Sequence, residues 1–190
     1  MSRLGICCMG VTVASLVALG AGPAHPAGAE EPPPGSKAPA AESPSAASSF
    51  DRLKALAGDW IDIDGTTGVK DQVAATYRLT GAGSAVVETL FPGTPHEMTT
   101  VYHKDGRDIV LTHYCAAGNQ PRMRATAVRG DVFIFEFDGG WNIDPSRDMH
   151  MHSARLELVS PDELRADWMS WSGGKVSDHV GRFHLKRKKV

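Results

Sequence analysis

Residues 98–115 read MTTVYHKDGRDIVLTHYC, two alternating segments on either side of an Asp-Gly pair at 105–106. An Asp-Gly pair between such segments is a strong signal for a β-hairpin with a two-residue turn. Counting outward from this turn predicts which residues lie opposite one another on a single face. These pairs are Tyr102 with Ile109, Thr100 with Leu111, and Met98 with His113. Because side chains alternate along a strand, Cys115 continues the same face.

The rest of the domain repeats this pattern of short alternating segments and turns. Turn residues stand at 129–131, 160–163 and 172–175, and the one helical pattern covers 50–57, before Gly58. About nine or ten strands in series, without long helices, predict an all-β fold. We expect an antiparallel up-and-down meander with a short N-terminal helix, closed into a lipocalin-like β-barrel because closure removes exposed strand edges.

The N-terminal residues have the pattern of an exported protein. Arg3 precedes an apolar run at 4–20 and small residues at 27–29, which predicts a signal peptide over 1–29. Residues 30–49 are rich in Pro, Ala and Ser and predict a disordered linker, followed by the barrel domain at 50–188. We therefore expect a periplasmic or secreted protein, with no stable membrane span after signal cleavage. The alternative is that the apolar run stays uncleaved as an N-terminal anchor.

Composition narrows the classes of partner. Hydrophobic residues make up 42% of the chain and the formal net charge is −2, so a packed core is expected and a nucleic-acid partner is not. Of the three cysteines, two lie in the predicted signal peptide and only Cys115 follows it, which excludes an internal disulfide in the mature chain. The sequence does not specify a cofactor or an oligomeric state.

Three histidines are predicted on the inward face. Alternation counted from the turn at 160–163 places His150 and His152 on the face of Trp168, and the hairpin adds His113. Two imidazoles two positions apart on a strand, with a third from another strand, are a known zinc-binding arrangement. The alternative is that they are hydrogen-bonded polar residues lining a cavity. The candidate ligand-binding residues are Glu88, Tyr102, His113, Arg122, His150, His152 and Trp168.

A short motif supplies a resemblance. Gly58-Asp59-Trp60, at the start of the first predicted strand, resembles the Gly-x-Trp signature of lipocalins and their calycin relatives. The segments 90–98 and 112–121 resemble uncharacterised lipocalin-like exported proteins of bacteria. The resemblance implies that Trp60 closes one end of the barrel and that an arginine of the last strand, for which Arg182 is the candidate, packs across it.

A more distant resemblance is to nitrobindins, which are haem-binding calycins. Their signature continues with two glycines where this chain has Asp62 and Asp64, whereas His179 is a candidate for their proximal ligand. The leading hypothesis is an exported barrel that binds a small hydrophobic or amphipathic ligand. The alternatives are a metal- or histidine-dependent enzyme using the same cavity, a haem-binding protein, and a domain with a filled core and no ligand.

Overall fold

The computed structural model describes residues 46–189, so the predicted signal peptide and most of the predicted linker lie outside the described residues. One helix, α1 (Ala46–Lys54), precedes ten strands. It begins four residues before the predicted position. No helix within residues 46–189 is long and apolar enough to cross a membrane. The strands are β1 (Gly58–Asp62), β2 (Val73–Thr80), β3 (Ala85–Leu90), β4 (Met98–Asp105), β5 (Asp108–Tyr114), β6 (Gln120–Arg129), β7 (Val132–Trp141), β8 (His150–Ser160), β9 (Glu163–Ser172) and β10 (Lys175–Arg187).

The ten strands form one closed antiparallel barrel. Each strand pairs with its neighbours in sequence, and β10 pairs with β1 to close the sheet. The predicted fold class is confirmed. Closure leaves no unpaired edge strand, which is how an up-and-down sheet avoids pairing with other chains.

The β4–β5 hairpin forms at the predicted place with a different register. Tyr102 pairs with Leu111 and Thr100 pairs with His113, so the predicted partners are wrong by two positions. Asp105 is still paired, and the turn is formed by residues 106–107, with Gly106 at a positive φ of 61° in its first position. A shift of two residues preserves the alternation of side chains, and the predicted faces are therefore correct.

The two ends of the barrel differ in construction. At the end that we call the closed end, the strands are joined by short turns at 106–107, 130–131 and 161–162, and α1 packs at this end against β4 and β5. At the other end, which we call the open end, most connections are longer, with loops at 63–72, 91–97, 115–119 and 142–149.

The closed end is filled by α1 and Trp60. The N-terminal segment packs one apolar face into the barrel. This face consists of Phe50, Leu53 and Leu56, which are almost completely buried. The side chain of Trp60 is fully buried, and its Nε1 donates a 2.8 Å hydrogen bond to the Leu56 carbonyl. The segment that caps the barrel is therefore held by apolar packing and by a satisfied indole N–H.

An arginine of β10 packs across Trp60, as the resemblance implies, but it is Arg187. Its guanidinium lies over the Trp60 ring, 4.5 Å from the centroid, and donates to the carbonyl oxygens of Ala55 and Ala57. The candidate Arg182 was wrong because it pairs with Asp167 on the outer face of the barrel. Arg187 pairs with Trp60 directly.

Candidate ligand-binding site

A cavity of about 330 Å³ lies inside the open end. Its wall is formed mainly by apolar side chains of the inward faces of the strands, together with residues of the longer loops. Those that matter below are Leu90, Met98, His113, Met151, Trp168 and Phe183. Of these six, only His113 and Trp168 are among the ligand-binding residues that the sequence predicts.

His113 and Trp168 form one patch of this wall. They are 1% and 2% exposed, and their ring centroids lie 4.9 Å apart. Neither His113 Nε2 nor Trp168 Nε1 has a hydrogen-bond partner. A buried polar atom without a partner is uncommon in proteins, so both nitrogens require an explanation.

A buried polar network lies directly beneath the cavity. The Glu88 side chain is 1% exposed and accepts hydrogen bonds from the hydroxyl groups of Tyr77 and Tyr102, the latter at 3.0 Å. Burial raises the pKa of the Glu88 carboxyl, and the hydrogen bonds from Tyr77, Thr100 and Tyr102 oppose that rise. Burial also raises the pKa of both tyrosines well above the usual value, so they remain donors.

Thr100 connects this network to His113. Its Oγ1 lies 2.9 Å from His113 Nδ1, and Thr100 pairs across the strands with Glu88, whose pKa its hydroxyl lowers. A hydroxyl has one proton, so when Thr100 directs that proton to Glu88, the Nδ1–H of His113 is the donor to Thr100. Burial lowers the pKa of His113 to about 4, which makes the ring neutral at pH 7. His113 Nε2 is then a bare acceptor, and Trp168 Nε1–H is a donor.

His150 and His152 do not join His113. His150 pairs with Trp171, and Met151 pairs with Ser170. A β-bulge between Met151 and Ser153 leaves His152 as an extra residue, which inverts the alternation that the turn at 160–163 predicts. Met151 therefore lines the cavity, and the expectation that the three histidines project into one cavity is wrong for His150 and His152.

The two histidines form an aromatic cluster on the outer face instead. His150 Nε2 lies 3.0 Å from His152 Nδ1, and the His152 ring stacks on Trp171 with centroids 3.8 Å apart. Burial, and then the neighbouring His150, lower the pKa of His152. Within residues 46–189, no group of three or more His, Cys, Asp or Glu side chains is arranged to hold a metal ion, and His113 with this pair is no exception.

The other candidate residues occupy three different places. Glu88 and Tyr102 belong to the buried layer beneath the cavity and do not line it. Arg122 lies on the outer face, where it donates to the Asp138 carbonyl and forms an ion pair with its carboxylate. His179 lies at the rim of the cavity and is exposed.

Several residues of the site are not among the candidates that the sequence predicts. Alternation predicts the inward face for Thr100, but no sequence signal ties it to Glu88, because that contact joins two strands. Met151 was missed because of the bulge, and Met149 because it lies in the loop before β8.

No protein-family model matches the chain, and no curated protein matches its sequence. A closed ten-stranded antiparallel barrel is consistent with a lipocalin-like or calycin-like fold.

Proposed function

We propose that this protein binds a small, mainly apolar molecule in the cavity at the open end of its barrel. The observation that carries the proposal is the cavity itself, about 330 Å³ of space between apolar side chains, at the end of the barrel that no helix fills. Transfer of apolar ligand surface from water into such a space is favourable by roughly 25 cal/mol per Å². Most of the wall offers water no hydrogen-bonding group, and a buried water needs two to four polar partners.

The lining suits a ligand of variable shape with one polar group. Met98, Met149 and Met151 provide flexible thioether side chains that adapt to different apolar shapes. His113 and Trp168 are the polar positions deep in the wall, and they would fix the orientation of the ligand.

The proposal extends to family and location. Two features support a lipocalin-like protein: Gly58-Asp59-Trp60 at the start of β1, and Arg187 packed over Trp60. The pattern of residues 1–29 supports a signal peptide and hence a periplasmic or secreted protein. Export would place the cavity where small molecules from outside the cell are encountered.

Filling the cavity tests the proposal. Met151→Trp adds volume inside it, whereas Met169→Trp makes the same change on β9 at a residue that pairs with Ser153 on the outer face. We expect the wild-type protein and Met169→Trp to bind N-phenyl-1-naphthylamine, a neutral apolar dye, with a fluorescence increase. Met151→Trp should weaken that binding at least about tenfold, because the added indole occupies the space that the dye needs.

Circular dichroism and thermal unfolding of both variants show whether the barrel is retained. Native mass spectrometry of the untagged protein provides a second readout, a molecule retained from the expression host. Equal dye binding by folded Met151→Trp and by wild type would contradict the cavity as the site. Wild-type protein that retains no molecule and binds no dye would contradict ligand binding altogether.

A further inference from the structure

The two nitrogens without partners in the cavity wall identify a class of ligand. On the basis of the function proposed above, we infer that the ligand carries a carboxylic acid group, that His113 and Trp168 bind this group together, and that the complex takes up one proton from solvent.

Two unpaired polar atoms belong to neighbouring side chains of the cavity wall. Within residues 46–189, three buried side-chain atoms have no hydrogen-bond partner, and two of them are His113 Nε2 and Trp168 Nε1. Both residues line the same cavity, with adjacent rings. Each unpaired buried polar atom costs roughly 1–3 kcal/mol, so a ligand group that pairs with both nitrogens removes two penalties at once.

The two nitrogens of the pair differ in their chemistry. Trp168 Nε1–H donates, and His113 Nε2 accepts in the tautomer in which Nδ1–H donates to Thr100 and the Thr100 proton is directed to Glu88. An undissociated carboxylic acid matches this pair with its two oxygens, one as an O–H donor and the other as an acceptor. A ketone or an ester offers only acceptors, and an alcohol must serve both nitrogens with a single oxygen, whereas the acid brings two. A protonated amine offers only donors and would bring a buried charge with no counterion.

The complex contains one more proton than its two free partners hold. At neutral pH the free acid is a carboxylate and the His113 ring is neutral, so the free partners hold no proton between them. A carboxylate cannot pair with a bare Nε2. The complex therefore gains one proton from solvent, which lies either on the carboxyl oxygen or on Nε2, and no other bond is made or broken.

Burial disfavours positive charge on the His113 ring, so a proton taken up here has to be shared with the acid group of the ligand. Glu88 lies beneath the ring, beyond Thr100. No acidic side chain lines the cavity among the described residues. The titratable or charged groups around the ring are Glu88, Tyr77 and Tyr102 below it, and Cys115, His96, His179 and Arg182 along the wall and rim.

The pH dependence follows from the proton count. Uptake of one proton per complex makes the affinity rise about tenfold for each unit by which the pH falls, until the pH approaches the pKa of the free acid at roughly 4–5. An alcohol of the same chain length binds without a change of protonation, and its affinity should be constant over that range.

Titration calorimetry with the full chain tests the inference, using octanoate, 1-octanol and octylamine as ligands that share one alkyl chain. We expect the Kd of octanoate to fall about a hundredfold between about pH 7.5 and about pH 5.5, while that of 1-octanol stays constant. Near pH 7, octanoate binding should release different heats in phosphate and in Tris. For uptake of one proton, that difference equals the difference between the ionisation enthalpies of the two buffers.

Two variants assign the roles of the side chains. Trp168→Phe keeps an aromatic ring and removes the N–H, so it should weaken octanoate binding about tenfold and leave the proton uptake at one. His113→Gln should abolish the proton uptake. Trp171→Phe, on the outer face, is the matched control for Trp168→Phe and should bind octanoate like wild type.

The outcomes separate the inference from the proposed function. Octanoate binding without proton uptake, or tighter binding of 1-octanol or octylamine than of octanoate near pH 5.5, would overturn the inference and leave a ligand-binding cavity in place. Failure of all three compounds and of the apolar dye to bind would overturn both. If His113→Gln does not fold, the wild-type proton count and Trp168→Phe still decide the inference.

Discussion

The two ends of the barrel differ in how each one surrounds a buried tryptophan. Trp60 at the closed end is fully buried and Trp168 at the open end is 2% exposed, yet only Trp60 has a partner for its indole N–H. Trp60 is enclosed by α1 and by Arg187, whereas Trp168 lines the cavity. Equal burial thus accompanies two different states of the indole N–H. The closed end satisfies the indole N–H of Trp60, and the open end leaves His113 Nε2 and Trp168 Nε1 without a partner.

His113 and Glu88 lie at the boundary between the filled part of the barrel and the cavity. Below His113 every polar group of the Glu88 network is paired, and above it the cavity begins. A paired network beneath a cavity is what we expect of the proposed binding function. A rigid base holds the groups that contact the ligand in place, so less conformational entropy is lost on binding.

The largest expected difference between the ends concerns their tryptophans. We expect Trp60→Ala to lower the free energy of unfolding by about 4 kcal/mol, since it creates a new void and removes a paired N–H. Trp168→Ala should cost less than half as much, because it enlarges an existing cavity and removes an N–H that is unpaired. Urea denaturation near neutral pH measures both values.

The control is Trp141→Ala, at a residue that is 58% exposed and should change stability by no more than about 0.5 kcal/mol. A cost for Trp168→Ala that equals the cost for Trp60→Ala would show that both ends contribute alike to stability, and the comparison would fail.

The next largest expected effect is a pH dependence of the free energy of unfolding, and it originates at His113 in the open end. The pKa of His113 is about 4 in the folded protein, and near 6.5 in the unfolded chain. Below pH 6.5 the unfolded chain therefore binds a proton that the folded protein does not, and stability falls as the pH falls. Between about pH 7.5 and about pH 5 this loss amounts to roughly 2 kcal/mol.

The loss is measured as the difference between wild type and His113→Gln in urea denaturation at those two pH values. Wild type should lose about 2 kcal/mol more than the variant. The raised pKa of Glu88 acts in the opposite direction, because its stabilisation is present at low pH and lost as pH rises, but it is common to both proteins. His96→Gln, at an exposed rim residue, controls for removal of an imidazole. Parallel pH profiles for wild type and His113→Gln would mean that His113 is already solvated without a ligand.

Much of the barrel was predictable from local signals. Turn residues at 129–131, 160–163 and 172–175 locate three of the hairpins, and alternation assigns inward faces to β4, β5 and β9. His113 and Trp168 followed from this alternation. The hairpin register was wrong because Gly106, and not Asp105, occupies the first position of the turn. That choice depends on backbone conformation, which the Asp-Gly pair alone leaves open.

The bulge in β8 was not predictable. No glycine or proline marks residues 150–156, and the extra residue becomes visible only when β8 is paired with β9. The error moved two histidines to the wrong face and hid Met151. The Arg187 contact was missed for a related reason, since its carbonyl partners lie between α1 and β1 and in the turn at 161–162, and those between α1 and β1 are far from β10 in sequence.

The smallest effect tests how the closed end is fastened. Arg187 donates from Nη1 to the Ala57 carbonyl at 2.7 Å, from Nη2 to the Ala55 carbonyl at 2.9 Å, and from both Nε and Nη2 to Pro161. A lysine has one nitrogen and cannot reach three carbonyl groups in different directions while covering the Trp60 ring. We expect Arg187→Lys to lower the free energy of unfolding by about 1–2 kcal/mol, although the charge is retained.

Arg182→Lys is the matched control on the same strand. Arg182 is exposed, and its guanidinium forms no hydrogen bond or ion pair with another residue of the described part of the chain. Its replacement should change stability by less than about 0.5 kcal/mol. Amide hydrogen exchange of α1 adds a local readout, because loss of the Ala55 and Ala57 contacts should speed exchange in the helix more than in β4 and β5. If Arg187→Lys costs nothing and α1 exchanges as in wild type, the closed end depends on apolar packing alone, and Arg187 merely covers a tryptophan that would be buried without it.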